Sequence, residues 1–283
     1  MDIKDYHNNP ALGSSTIREI LKSSAHYAYK LTHKVKKTDS MILGDAIHAF
    51  ILEPHRFNEM YELFEDVYMR AVGGHNVGDP KLDENGDPIV YLKDRNGEGL
   101  DIKGEQYKKF VAMTEAIRKS QLVKDVMSQS THIEYSIFSK IMGFDVKCRP
   151  DTMNVDAGII WDVKTVSNKS DSGKPSDNFI REFISMGYDV QAALYKRLCK
   201  EHFKKEFEFR FLCVDVAKDV VGIKEYKVSD ELIELGERRL KWCLKQIKQY
   251  NDTQSVKVYD CESEELKADY RALEMLEQFR GEE

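Results

Sequence analysis

Residues 145–166, DVKCRPDTMNVDAGIIWDVKTV, hold the densest chemistry in the chain. Two runs that read as strands each place an acid near one end: Asp151 just after Pro150, and Asp162 after the apolar residues 158–161. Lys164 follows Asp162 by two, and on a strand positions i and i+2 share a face. Asp162 and Lys164 therefore point the same way, with Val163 opposite and its carbonyl available. Burying an acid and an amine in so apolar a strand is costly unless they pair or bind a metal. The plain alternative is a surface Asp–Lys pair on an edge strand, which contributes little. Asp151, on an adjacent strand, shifts the balance: two carboxylates and a carbonyl suit Mg²⁺ or Mn²⁺. A lysine beside such ions can orient or deprotonate an attacking water.

The periodicity upstream is helical. Residues 14–33 read as one helix, capped by Ser14, Ser15 or Thr16, and a second starts near Asp39–Ser40 and stops by Glu53, ahead of Pro54. Residues 72–104, rich in glycine and charge, read as a long loop whose Lys81, Lys93, Arg95 and Lys103 suit either a polyanion or a plain surface insertion. A helix covers roughly 105–128. The period then changes, with strands at 132–138, 143–148, 158–166, 208–216 and 220–228. A long helical pattern spans 178–203, another runs from Asp230 to Tyr250 behind a Ser229 cap, and the tail after Cys261 is charged and helix-prone. This order predicts an α/β protein with a mixed central sheet flanked by helices. No repeat or linker divides it, so residues 1–283 read as a single domain: a helical part (1–130), a sheet-bearing core (131–228) and C-terminal helices (229–283).

Pro150-Asp151 followed by Asp162-Val163-Lys164 resembles the PD-(D/E)xK nuclease signature. Gly44-Asp45-Ala46-Ile47-His48 resembles the G-x-x-x-H element of the RecB-type branch, and Gln191-Ala192-Ala193-Leu194-Tyr195 is similar to its Q-x-x-x-Y helix. Ser40-Met41-Ile42-Leu43-Gly44, Leu52-Glu53-Pro54, Arg149-Pro150-Asp151 and Asp162-Val163-Lys164-Thr165 are similar to RecE-like (exodeoxyribonuclease VIII-like) phage exonucleases. The matches keep the family's order and span residues 40–195.

The resemblance implies a restriction-endonuclease-like core and Mg²⁺-dependent digestion of linear duplex DNA from the 5′ end, leaving 3′ single strands for an annealing protein. It implies metal ligands in Asp151, Asp162 and the Val163 carbonyl, assisted by His48 and Glu134, with Lys164 positioning the water. Gln191 would orient the lysine or the DNA, and Tyr195 would support the site. Read without the family, His48 is a core histidine, Glu134 a solvent-facing acid, and Gln191 and Tyr195 a helix face beside the sheet. Arg149 suits a DNA phosphate or a nearby acid equally. Ser15 and Arg18 open a helix whose free N–H groups suit either plain capping or a terminal 5′-phosphate. Family members that close into rings around DNA imply a homo-oligomer. The rivals are a RecB-like or CRISPR-associated nuclease of other polarity, an inert DNA-end-binding module, and a metal-free structural protein.

Composition sets the limits. The chain has 283 residues, with 43 Lys+Arg against 49 Asp+Glu and a net charge of −6. That argues against a passive nucleic-acid coat but allows a basic groove on an acidic body. A 41% hydrophobic share argues against a disordered chain. No apolar run is long enough to span a membrane, and the polar N-terminus lacks a signal-peptide core. Cys148, Cys199, Cys213, Cys243 and Cys261 are widely spaced, which argues for reduced thiols in a cytoplasm (a bacterial host's, if the chain is phage-encoded) and against an iron–sulfur cluster.

Overall fold

A computed structural model describes residues 3–33, 36–67, 79–167, 177–217 and 220–258. Helices α1 (Ile3–Asn8), α2 (Ser14–Ile17) and α3 (Ser24–Thr32) are followed by α4 (Asp39–Leu52) and α5 (Pro54–Met60). Strands β1 (Tyr61–Glu65) and β2 (Val90–Asp94) form a hairpin, and α6 (Gly104–Lys119) and α7 (Gln121–Gln129) lead into the sheet region. There β3 (His132–Ile133), β4 (Ile137–Ile141), β5 (Phe144–Cys148), β6 (Thr152–Asn154) and β7 (Ile159–Ser167) precede α8 (Asp177–Ser185) and α9 (Tyr188–Phe203). The described chain closes with β8 (Glu208–Ala217), β9 (Val220–Lys227) and α10 (Asp230–Thr253).

The main sheet has the order β3-β6-β7-β8-β9, and β4 and β5 form a separate hairpin. Only β7 and β8 among its neighbours run parallel, joined by the stretch that carries α8 and α9. A parallel pair needs such a crossover. β7 is interior, and its side chains alternate between two cores. Ile160 and Val166 join Leu194, Leu198, Phe209 and Phe211 on the α9 side, while Trp161 and Val163 join Ile47, Phe110, Met113 and Leu212 on the α4 and α6 side. The predicted mixed sheet flanked by helices is the observed architecture. No described helix is long and apolar enough to cross a membrane.

The predicted elements differ from this in instructive ways. The helix expected over 14–33 breaks after a 3-10 turn at Arg18–Leu21, because the Ser23 hydroxyl accepts the His26 N–H and starts α3 anew. Gly13, not a hydroxyl residue, occupies the cap of α2. Ser120 likewise divides the 105–128 helix, its hydroxyl accepting the Val123 N–H. The 178–203 helix turns at Gly187, whose φ of 67° lies in the left-handed region. The strand expected over 132–138 is interrupted at Glu134, also left-handed at φ 50°, which turns the chain from the main sheet into the β4–β5 hairpin. The loop expected over 72–104 contains β2; residues 68–78 lie outside the described residues. Its Lys81, Arg95 and Lys103 meet Asp66, Glu62 and Asp101, and Lys93 lies over Phe64. Cys148, Cys199, Cys213 and Cys243 are buried and unbridged. Cys261 and the tail after it lie outside the described residues.

The turn at Gly187 is tight as well as left-handed: a Cβ there would meet Arg18 Cδ and Leu21 Cδ1 at 2.9 Å. Gly187→Ala should lower stability by about 1–3 kcal/mol from strain and overpacking. Urea unfolding checks this, and an unchanged midpoint would contradict it.

Candidate active site

Strands, helices and the turns between them deliver side chains to one place. Asp162 and Lys164 come from β7, on the face covered by α9. The two are ion-paired, and Asp162 Oδ1 also accepts from Gln191 Nε2 at 2.5 Å. Asp151, entering β6, reaches β7 at its backbone: Oδ2 accepts the Val163 N–H at 2.6 Å. The same oxygen lies 3.0 Å from His48 Nε2, and His48 Nδ1 lies 3.4 Å from Glu134 Oε1. Arg149, after β5, donates from Nε to Glu134 Oε2 at 2.6 Å and from a terminal nitrogen to Ser136 Oγ at 2.7 Å.

His48 arrives because of Gly44. The two are i and i+4 on α4 and share a helix face. A Cβ at Gly44 would lie 3.1 Å from Thr165 Oγ1 on β7, so the missing side chain lets α4 come close. One turn later the imidazole meets the acids. Glu134 reaches them through its left-handed backbone, whose N–H donates to the Asp151 carbonyl at 3.0 Å. Such conformations gather at functional sites.

The electrostatics follow from burying acids together. Burial and the Asp151 charge push the Asp162 carboxyl up to about 6, against the opposing pull of Lys164. Glu134 is also raised, by burial and then Asp151, more than His48 and Arg149 offset. Burial would raise Asp151 too, but His48, Lys164 and the Val163 N–H hold it below its usual range. Burial alone would depress His48; Asp151, with Glu134 and Asp162 beyond, instead lifts it to about 9. Lys164 is kept protonated in the same way, Asp162 and Asp151 overriding its burial.

One ligand atom each from His48, Glu134 and Asp151 lie within 4.8 Å of one another, a group able to hold a metal ion. The donor chemistry fits a divalent cation: two carboxylates and an imidazole match Mg²⁺-, Mn²⁺- or Fe²⁺-type coordination. The positive charge that His48 retains well above its ordinary range is the charge these acids demand. Asp162, expected among the ligands, is turned instead onto Lys164 and Gln191. Gln191 touches Asp162 and not the lysine, and its own Oε1 is buried without a partner among the described residues. Tyr195, one turn along α9, is buried with its ring 6.0 Å from Phe209. Arg149 takes the acid alternative, in Glu134. Arg18 donates to the Met186 and Ser14 carbonyls, and Ser15 is exposed at a helix of four residues.

The sequence reading missed Tyr188. Its ring has Lys164 Nζ at 5.2 Å and the Arg18 guanidinium at 5.4 Å from its centroid, so Arg18 shares an aromatic contact with the site lysine. It also missed Ser136, which binds Arg149, and Tyr6, over which Arg149 lies at 5.7 Å. None of these has a sequence signal beyond residue type.

A family model described as a PDDEXK-like domain of unknown function (DUF3799) matches residues 13–269. The chain belongs to this PDDEXK-like family. The crystal structure of a "putative exonuclease" from Eubacterium rectale is similar over 99% of this chain and 98% of that one, with a TM-score of 0.63 and 13% identity. At that identity the likeness shows a shared fold. A second solved structure, SSO0001, aligns over 48% of this chain and 67% of its own at 12% identity, with a TM-score of 0.23 too low to bear on the fold. No curated protein sequence matches. The PDDEXK-like assignment agrees with the Pro150-Asp151 and Asp162-Val163-Lys164 signature.

The raised imidazole makes stability depend on pH. The folded value, about 9, exceeds the ordinary 6.5. The contribution from protonated His48 is therefore complete below about pH 6.5 and disappears as pH rises through about 9. In EDTA, the unfolding free energy of the wild type should fall across that window, and His48→Gln should flatten the fall. Equal slopes in the two proteins would refute the assignment.

Proposed function

We propose that this chain is a Mg²⁺-dependent exonuclease that digests linear double-stranded DNA from the 5′ end. Mn²⁺ is the expected substitute ion. The observation that carries the reading is the chain of contacts that brings Asp151, Asp162 and Lys164, with Glu134 and His48, together around the middle of β7. Membership of a PDDEXK-like family supports it, as does a fold shared along nearly the whole chain with a protein described as a "putative exonuclease".

The residues divide the work. Asp151, Glu134 and His48 would hold a divalent cation, with Asp162 and the Val163 carbonyl joining when Asp162 leaves Lys164. A cation there supplies charge neutralisation at the phosphate and lowers the pKa of water. Lys164 orients the nucleophilic water toward the phosphorus. Gln191 keeps Asp162 in its rotamer, and Tyr195 backs α9 against the sheet. Arg149 fixes Glu134. Arg18 and Ser15 would read a terminal 5′-phosphate.

The wider reading includes duplex ends as the partner and 3′ single-stranded tails as the product, passed to a strand-annealing protein in phage-type recombination. A homo-oligomeric ring would let a protein of net charge −6 follow DNA, since only the channel need be positive.

Linear and circular duplexes incubated with Mg²⁺, Ca²⁺ or EDTA test the assignment. Loss of linear DNA only, and in Mg²⁺ only, is the expected result; tight end-binding without degradation would point to an inert module. End-labelling should show the 5′-ended strand shortening first. Lys164→Ala should reduce cleavage at least about 100-fold while keeping metal and DNA binding, consistent with the scale of a lost acid–base or water-orienting group. Asp162→Ala should weaken metal binding too. Arg18→Ala should lower the preference for 5′-phosphorylated ends, and an unchanged preference would remove Arg18 from that role.

A further inference from the structure

Asp215 is the one buried carboxylate among the described residues with both oxygens unpartnered. It is 5% exposed, on the interior strand β8. An ion buried without a partner is expensive and calls for a reason. Burial lifts its pKa only to about 6, so it is mostly ionised at neutral pH.

Its position supplies a reason. In the parallel register of β7 and β8, Asp162 lies beside Phe211, Lys164 beside Cys213, and Val166 beside Asp215. Partners in register share a face, so Asp215 lies on the face that carries Asp162 and Lys164. Lys164 and Asp215 are diagonal neighbours, roughly 8 Å apart between Cα atoms from the ~3.3 Å rise and ~4.8 Å strand spacing. A lysine side chain spans such a diagonal. On the other side, β9 places Gly222 beside Asp215 and Lys224 beside Cys213. Gly222 leaves the carboxylate uncovered from that strand, and Lys224 directs its Nζ to the Tyr226 ring, 4.7 Å from the centroid.

Lys164 meanwhile occupies the oxygen of Asp162 that a cation would need. The ammonium is enclosed by Asp162 and by the rings of Tyr188 and Phe211 at 5.2 and 5.6 Å. Once Asp162 turns to a cation, Lys164 needs a second acceptor, and water reaches it poorly. We propose that Asp215 is a positioning residue for Lys164: it receives the ammonium when Asp162 is given up to a divalent cation, and so fixes where the lysine rests once the cation is bound. This rests on the metal-dependent reading above.

Calorimetric Ca²⁺ binding, which needs no turnover, tests it. Asp215→Asn should weaken Ca²⁺ affinity about tenfold, the scale of one hydrogen bond to a charged group. Asp215→Glu should recover part of the loss. In a Lys164→Met background, Asp215→Asn should change affinity by less than about twofold. An equal effect in both backgrounds, no effect in either, or reproduction of the loss by Lys224→Met would overturn the proposal. Far-UV circular dichroism in EDTA identifies any variant that fails to fold; if Asp215→Asn does, Asp215→Glu carries the same comparison in both lysine backgrounds. A wild-type protein that takes up neither Ca²⁺ nor Mg²⁺ would overturn the nuclease reading itself, whereas binding without coupling between Asp215 and Lys164 would overturn only the positioning role.

Discussion

Three carboxylates, from Glu134, Asp151 and Asp162, are crowded into a largely buried corner, and such groups cannot all ionise there without cations beside them. Each is met by a different one. Arg149 takes Glu134, His48 takes Asp151 and leans on Glu134, and Lys164 takes Asp162. Where a backbone N–H is added, as Val163 gives to Asp151, pairing outweighs burial and the acid is held low. Where Asp151 is itself the neighbour, as for Asp162, burial and repulsion win. The corner is poised so that a change in any one charge is felt by the others.

That requirement explains much of the architecture. An interior strand with both faces covered keeps Asp162 buried and Lys164 largely so, and the crossover through α9 brings Gln191 over Asp162. α4 must approach β7 closely enough for an imidazole to bridge two acids, which Gly44 permits at Thr165. Gly187 lets the chain turn sharply from α8 into α9, so that Tyr188 stands between Arg18 and Lys164. The left-handed Glu134 is the strained member of the set, and its backbone bond to Asp151 is part of what holds it.

The alternation of β7 was legible in the sequence because a period of two admits only one shared face for Asp162 and Lys164. His48 was legible only through the resemblance of Gly44–His48 to a family element, and the mixed sheet through the order of its elements. The helix breaks were not: Ser23 and Ser120 are tolerated within helices, and only their hydroxyl contacts make them caps. Glu134 was placed on a regular strand because alternating residue types conceal a single reversed φ. The β1–β2 hairpin was missed since YELFE, directly after a helix, fits either period. Asp215, set among Cys213, Val214 and Val216, reads as an ordinary polar position, and its isolation emerges only from the register of three strands. Gln191 reaches Asp162, the acid that pairs with Lys164, a detail that depends on rotamers.

The charges in the corner also bear on what it can bind. With His48 protonated, three acids face three cationic side chains, and the pocket is neutral. An imidazole that becomes a metal ligand gives up its proton. Exchange of that proton for a divalent cation would therefore leave one net positive charge in a poorly hydrated site. A phosphodiester carries one negative charge, so it restores neutrality where a carboxylate-rich or uncharged substrate would not. The same exchange frees Lys164 from Asp162 only if another acid accepts it. The solitary Asp215, on the same sheet face and two residues along β8 from the partner of Lys164, is the acid placed to accept it.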